Sequence, residues 1–162
     1  MSKTKIYILF SNPREETDYN IISFTTDVYK VLEDCKKYEL DLIYEEEKGE
    51  NLTVELIEDK KYIDFQYTEG ERYVLTTFES DIPSDREMYA VFANGYEKYF
   101  WDADLMGLFL SKETAVNTII SEVSKNYEEE GEIDNYRNLL KDGDSICDLE
   151  FTNWDIIKLK IE

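Results

Sequence analysis

Hydrophobic positions along the chain follow two rhythms. Lys5–Phe10 is a run of β-branched and aromatic residues and reads as a strand. Ser11-Asn12-Pro13-Arg14 breaks it, because a proline disfavours helical backbone in the residue before it. A second short strand is predicted at Asn20–Phe24. The rhythm then changes. Val28, Val31, Leu32 and Cys35 fall at i, i+3, i+4 and i+7, one face of an amphipathic helix reaching about Tyr38. Thr25, Thr26 and Asp27 offer N-cap oxygens for it. Strand patterns return at Leu52–Ile57, Tyr62–Tyr67 and Tyr73–Phe78, with Glu69-Gly70-Glu71 as a hairpin turn between the last two.

Residues 80–87 are polar, hold Pro83 and read as a linker. They divide the chain into a first α+β half, 1–79, and a second, 88–162. The second half repeats the order of the first. Met88–Ala93 is a strand, Asn94-Gly95 a turn, and Tyr99–Trp101 pairs in a hairpin with Leu105–Leu110. Ser111 caps a helix whose apolar stripe is Val116, Ile119, Ile120, Val123 and Tyr127. A short helix at 133–141 and strands at Ile146–Phe151 and Trp154–Ile161 complete the prediction.

Lys5–Asn12 aligns with Glu87–Asn94, with Tyr, Phe and Asn in common. An internal duplication of a β-β-α-β-β unit is one reading of this pattern, and coincidence is the other. The fold class predicted is α+β: antiparallel sheets with two main helices packed on one face.

Charge changes the picture more than any motif does. Lys+Arg is 18 and Asp+Glu is 38, a net charge of −20 with no histidine. Both halves share it. Residues 1–84 carry 10 bases and 20 acids, 10 − 20 = −10, and residues 85–162 carry 8 and 18, 8 − 18 = −10. Aromatic residues at 14% separate the chain from acidic disordered tails, so it is expected to fold. The charge is well above the ~2–8 that keeps a small domain soluble, and self-repulsion opposes folding. A basic protein surface is the simplest compensating partner. Direct nucleic-acid binding is excluded, because phosphate affinity needs Lys and Arg. Anionic membrane surfaces are excluded on the same ground.

Most enzyme chemistry lacks its residues. Without histidine there is no Ser–His or Cys–His couple and no imidazole ligand. Six glycines form no GxGxxG or phosphate-binding loop. Asp102, Asp104, Gly107, Phe109 and Glu113 match several positions of a calcium-binding loop, but Met106 stands where an oxygen ligand belongs. No catalytic, metal or cofactor residue is assigned, and the chain is read as a non-enzyme. Cys35 and Cys147 are far apart and read as cytosolic thiols. The N-terminal apolar run is too short for a secretory leader, and no stretch reaches a membrane span. Four alanines among many Ile, Lys, Tyr and Asn suggest an AT-rich genome, a low-GC bacterium or its phages, and a bacterial cytoplasm.

Candidate partner-binding residues follow from charge density and aromatic content. One acidic run is Glu45, Glu46 and Glu47 with Glu50, and the other is Glu128, Glu129 and Glu130 with Glu132 and Asp134. Each follows a predicted helix. A solvated loop is the plain alternative for either run. Tyr96, Tyr99 and Trp101 form an aromatic cluster of the kind that anchors interfaces, against ordinary hairpin packing. Tyr19, Tyr29 and Tyr44 are further exposed candidates. Strand alternation would set Glu55, Glu58, Asp59, Asp64, Glu69 and Glu71 along one face, and Asp148, Glu150 and Asp155 along another. Such an array imitates duplex DNA, with one negative charge per ~1.7 Å of axis.

In size, acidity and lack of catalytic residues the chain resembles the small acidic anti-defence proteins of phages and mobile elements, the DNA-mimic anti-restriction and anti-CRISPR class. That resemblance rests on composition, so it transfers no residues. It implies a stoichiometric inhibitor of a host nuclease or other nucleic-acid-binding effector. Two alternatives remain open. One is an immunity protein neutralising a basic nuclease toxin. The other is a small-ligand-sequestering module, thinly supplied with phosphate-binding groups because Arg14, Arg72, Arg86 and Arg137 are its only arginines.

Overall fold

Strand pairing among the described residues of this α+β chain is antiparallel, and five of the seven strand pairs join strands that are consecutive in sequence. The computed structural model describes residues 3–13, 19–40, 42–45, 48–68, 71–97, 100–125, 130–148 and 152–162. The elements are β1 (Thr4–Pro13), β2 (Asn20–Thr25), α1 (Val28–Lys37), β3 (Leu42–Glu45), β4 (Lys48–Asn51), α2 (Val54–Asp59), β5 (Tyr62–Thr68) and β6 (Glu71–Ser80). They continue as β7 (Glu87–Glu97), β8 (Phe100–Phe109), α3 (Lys112–Ser124), α4 (Glu130–Asp142), β9 (Ser145–Cys147) and β10 (Asn153–Lys160).

Two units emerge, one of Met1–Ile82 with Ile161–Glu162 and one of Pro83–Lys160. The first holds a four-stranded sheet of order β2-β1-β6-β5 and the β3-β4 hairpin. Helix α1 packs on β1, β2 and α2. Asp27 caps it, its Oδ1 accepting from Tyr29 N at 3.0 Å and Lys30 N at 3.3 Å. Tyr7 and Leu9 of β1, Val31 and Cys35 of α1, Ile57 of α2 and Leu75 of β6 share one core. Ile6, Ile8 and Phe10 alternate on the other face of β1 and are buried as well. Glu162 belongs to this unit, with its N donating to Phe24 O. Its carboxylate lies 2.7 Å from Lys30 Nζ, which also meets Asp34 at 3.0 Å. The Glu162 hydrogen bond, then the Asp34 one, raises the Lys30 pKa.

The second unit holds a sheet of order β8-β7-β10-β9. Helix α3 packs on β7, β8, β10 and α4. Its cap is Ser111, whose Oγ accepts from Thr114 N at 3.2 Å. Val91, Val116, Ile119, Val123, Leu140 and Trp154 are central to its core.

The second unit runs β-β-α-α-β-β, and the first runs the same way with the β3-β4 hairpin inserted between its helices; the four-stranded sheet orders are equivalent. The registers agree too. In the first hairpin the pairing slips between Leu9 and Phe10, and in the second between Val91 and Phe92, where 91 − 9 = 82. Helix caps Asp27 and Ser111 differ by 111 − 27 = 84. The same offset carries buried Val31 onto Ala115 and Cys35 onto Ile119. Asn12 and Asn94 match at the first-strand offset, and both are buried.

Three predicted features change. The repeated unit has two helices rather than one, so the chain has four helical segments among the described residues. Leu52–Ile57 is not a strand: residues from Val54 form α2, and Thr53 Oγ1 caps it by accepting from Leu56 N at 3.2 Å. Asn94-Gly95 is not a turn. Strand β7 runs through it to Glu97, with Asn94 opposite Ala103 on one side and Asn153 on the other. The hairpin partner of β8 is thus β7, not 99–101.

Candidate protein-binding surface

Helix α2 turns Ile57 into the core and leaves Glu55, Glu58 and Asp59 exposed. Their i, i+3 and i+4 spacing puts them on one face. Like charges at these spacings each cost about 0.2–0.5 kcal/mol in a helix. Glu55 lies in the first turn, where the helix dipole favours an acid. Glu58 and Asp59 lie at the opposite end, where the dipole disfavours one, and the last turn has no basic residue. Lys5 Nζ donates to the Glu58 backbone carbonyl at 3.3 Å rather than pairing with its carboxylate. None of the three acids has an ion-pair partner among the described residues, and neither does exposed Glu50 on β4. At Glu58 and Asp59 charge therefore sits where it opposes local stability.

The sequence expected Glu55, Glu58 and Asp59 on a strand face with Asp64, Glu69 and Glu71. Helical spacing gathers the first three instead. Asp64 is drawn to Arg72, 3.2 Å away, and Glu71 is half-buried. Arg72 is itself buried and also donates to Tyr62 Oη at 2.8 Å, so this pairing orders β5 against β6. Asp148 accepts from Thr152 N at 3.0 Å and from the Trp154 indole at 3.1 Å, and Asp155 accepts from the Ser145 hydroxyl. Those two carboxylates serve the fold. Glu69 and Glu150 lie outside the described residues.

Of the principal candidates, Glu46, Glu47, Tyr99, Glu128 and Glu129 also lie outside the described residues. Glu45 and Glu50 share the β3-β4 hairpin, Glu45 opposite Lys48 and Glu50 opposite Ile43. Tyr96 and Trp101 are brought into direct cross-strand register. Glu130 begins α4, Glu132 is half-buried and Asp134 is exposed. A helix start favours acids, which is a sufficient local reason for Glu130 and Glu132. Tyr29 is exposed on α1 at 71%, the most exposed of the large hydrophobic side chains described.

No family model matches the chain, and no curated protein or solved structure matches it.

Among the described residues no group of three or more Cys, Asp or Glu side chains is placed to hold a metal ion. Asp102 to Phe109, the calcium-loop match, lie in strand β8. No described helix is long and apolar enough to cross a membrane.

The two thiols are unlike. Cys35 is fully buried and Cys147 is exposed. Burial first, then the Asp34 charge, pushes the Cys35 thiol up from 9.0 to about 12. At pH 8 one thiol, Cys147, is expected to react with a disulfide reagent in the native protein. The second should react only on unfolding, and prompt reaction of both would contradict the packing. The fold favours the neutral Cys35 thiol. Its stabilising contribution is therefore complete below pH 9.0 and is lost as pH rises from there toward about 12.

Proposed function

We propose that this chain is a non-enzymatic inhibitor that binds a basic, nucleic-acid-binding effector of host defence, such as a CRISPR or restriction nuclease, by presenting carboxylates in place of phosphates. The net charge of −20 carries this reading. Exposed acids on α2 and β4 without ion partners among the described residues support it, with Glu58 and Asp59 held at the helix end that disfavours an acid. Electrostatic complementarity would give a fast association that falls as ionic strength rises. Tyr96 and Trp101, in register near the end of the β7-β8 hairpin, are the proposed anchors.

Affinity capture from a low-GC bacterial lysate, with and without competing duplex DNA, tests the reading. Capture of a nuclease that duplex DNA displaces is the expected result. Capture that DNA leaves unchanged would put the contact away from the nucleic-acid groove and overturn mimicry. Charge reversal at Glu45–Glu47 and Glu128–Glu130 separates contact runs from solvated loops. Unchanged affinity in both variants would remove those runs from the interface.

A further inference from the structure

A groove between α3 and α4 carries three cations and one carboxylate, in contrast to the acidity of the chain as a whole. It encloses about 360 Å³ and is lined by Lys112, Glu113, Val116, Asn117, Arg137 and Lys141. We propose that it binds a small phosphorylated ligand.

Arg137 and Lys141 stand at i and i+4 on α4, side by side on one face. Two like charges at that spacing repel, although Lys141, in the last turn of α4, lies where the helix dipole favours a cation. Arg137 Nη1 donates to Asn117 Oδ1 at 3.0 Å, which leaves the rest of its fork unspent. Neither Arg137 nor Lys141 has a carboxylate within ion-pair distance among the described residues. Exposed Lys36, Lys61 and Lys160 also lack a carboxylate within ion-pair distance among the described residues, but Arg137 and Lys141 differ from them in lining one cavity together.

The other side chains have roles that suit the same ligand. Lys112 Nζ is held 2.9 Å from Asp144 Oδ1 and 3.1 Å from Gly143 O. It ties the start of α3 to the end of α4 and fixes the width of the groove. Lys112 and Glu113 are the first two residues of α3, so the groove opens where that helix dipole is positive. Val116 supplies an apolar floor. Glu113 and Asn117 carry acceptor oxygens for ligand hydroxyls. An arginine fork beside a lysine point charge matches a phosphate dianion better than a singly charged carboxylate. The volume is at the low end of the ~300–1,000 Å³ of small-molecule sites, the size class of a sugar phosphate or a mononucleotide.

The test is an NMR titration of the full ¹⁵N-labelled chain with inorganic phosphate, adenosine 5′-monophosphate and unphosphorylated adenosine. Saturable shifts at the Arg137 side chain and at amides 112–117 are expected with the first two probes and not with adenosine. The double variant R137Q/K141Q should weaken both by about tenfold or more, the value of one lost charge-assisted contact or greater. The single variant K141E, at an exposed position, should do the same and guards against a folding defect at Arg137. Shifts that do not saturate, that survive in K141E, or that adenosine reproduces would overturn the proposal.

Discussion

Ile119→Ala should destabilise the second unit by about 2–5 kcal/mol, the range for emptying a large aliphatic side chain from a packed core. Ile119 is fully buried on α3, a helix that packs on β7, β8, β10 and α4 together. Four elements cannot all relax into the space left by one side chain, so a cavity term adds to the lost transfer energy. Trp101 and Trp154, the only tryptophans, both belong to this unit. Their fluorescence in a urea titration therefore follows its unfolding. The midpoint should fall with the slope unchanged. A loss under about 1 kcal/mol would mean that α3 does not hold the core as described. The equivalent position in the first unit is Cys35, so Cys35→Ala provides a comparison. It removes only a sulfur and should cost far less, and tryptophan fluorescence should miss it if the units unfold separately.

Reversing Glu55, Glu58 and Asp59 to lysine changes the net charge by 3 × 2 = 6, from −20 to −14. Association with the captured basic partner should slow by about tenfold or more at low ionic strength, within the ~10–10³ range over which steering acts. Glutamine at the same three positions removes only three charges, to −17, and should give an intermediate rate. Steering predicts that both effects shrink as salt is added, because a Debye length near ~8 Å at physiological ionic strength screens exposed charges. The dissociation rate decides what kind of contact this face makes. A change in association alone marks it as a guide, and a faster dissociation marks it as buried in the complex. Equal association rates for all three proteins at low salt would remove α2 from the interface.

Helices α1 and α3 were legible because their signal is local. Asp27 and Ser111 cap them, and Val31 with Cys35, or Val116 with Ile120, keep helical spacing. Helix α2 was not legible. Its Leu52-Thr-Val-Glu-Leu-Ile57 segment alternates and contains β-branched residues, as a strand does. The cap at Thr53 with Glu55 in the first turn was the available signal. Asn94-Gly95 carried a hairpin signature, yet β8 pairs with both residues and β10 pairs with Asn94, which holds the segment extended. Strand pairing, two-sided at Asn94, outweighed the turn preference of two residues.

The same division applies to function. Composition determined the net charge and the lack of histidine chemistry, and short-range periodicity determined the α+β class. Tertiary structure decided the sheet orders, the helical face shared by Glu55, Glu58 and Asp59, and the loss of Asp64, Asp148 and Asp155 to internal bonds. It also gathered Lys112 and Asn117 from α3 with Arg137 and Lys141 from α4 around one groove. These residues are distant in sequence and scattered among acids, so no local pattern joins them. Packing two helices on one face of a sheet does so, because it fixes which side chains meet across the seam.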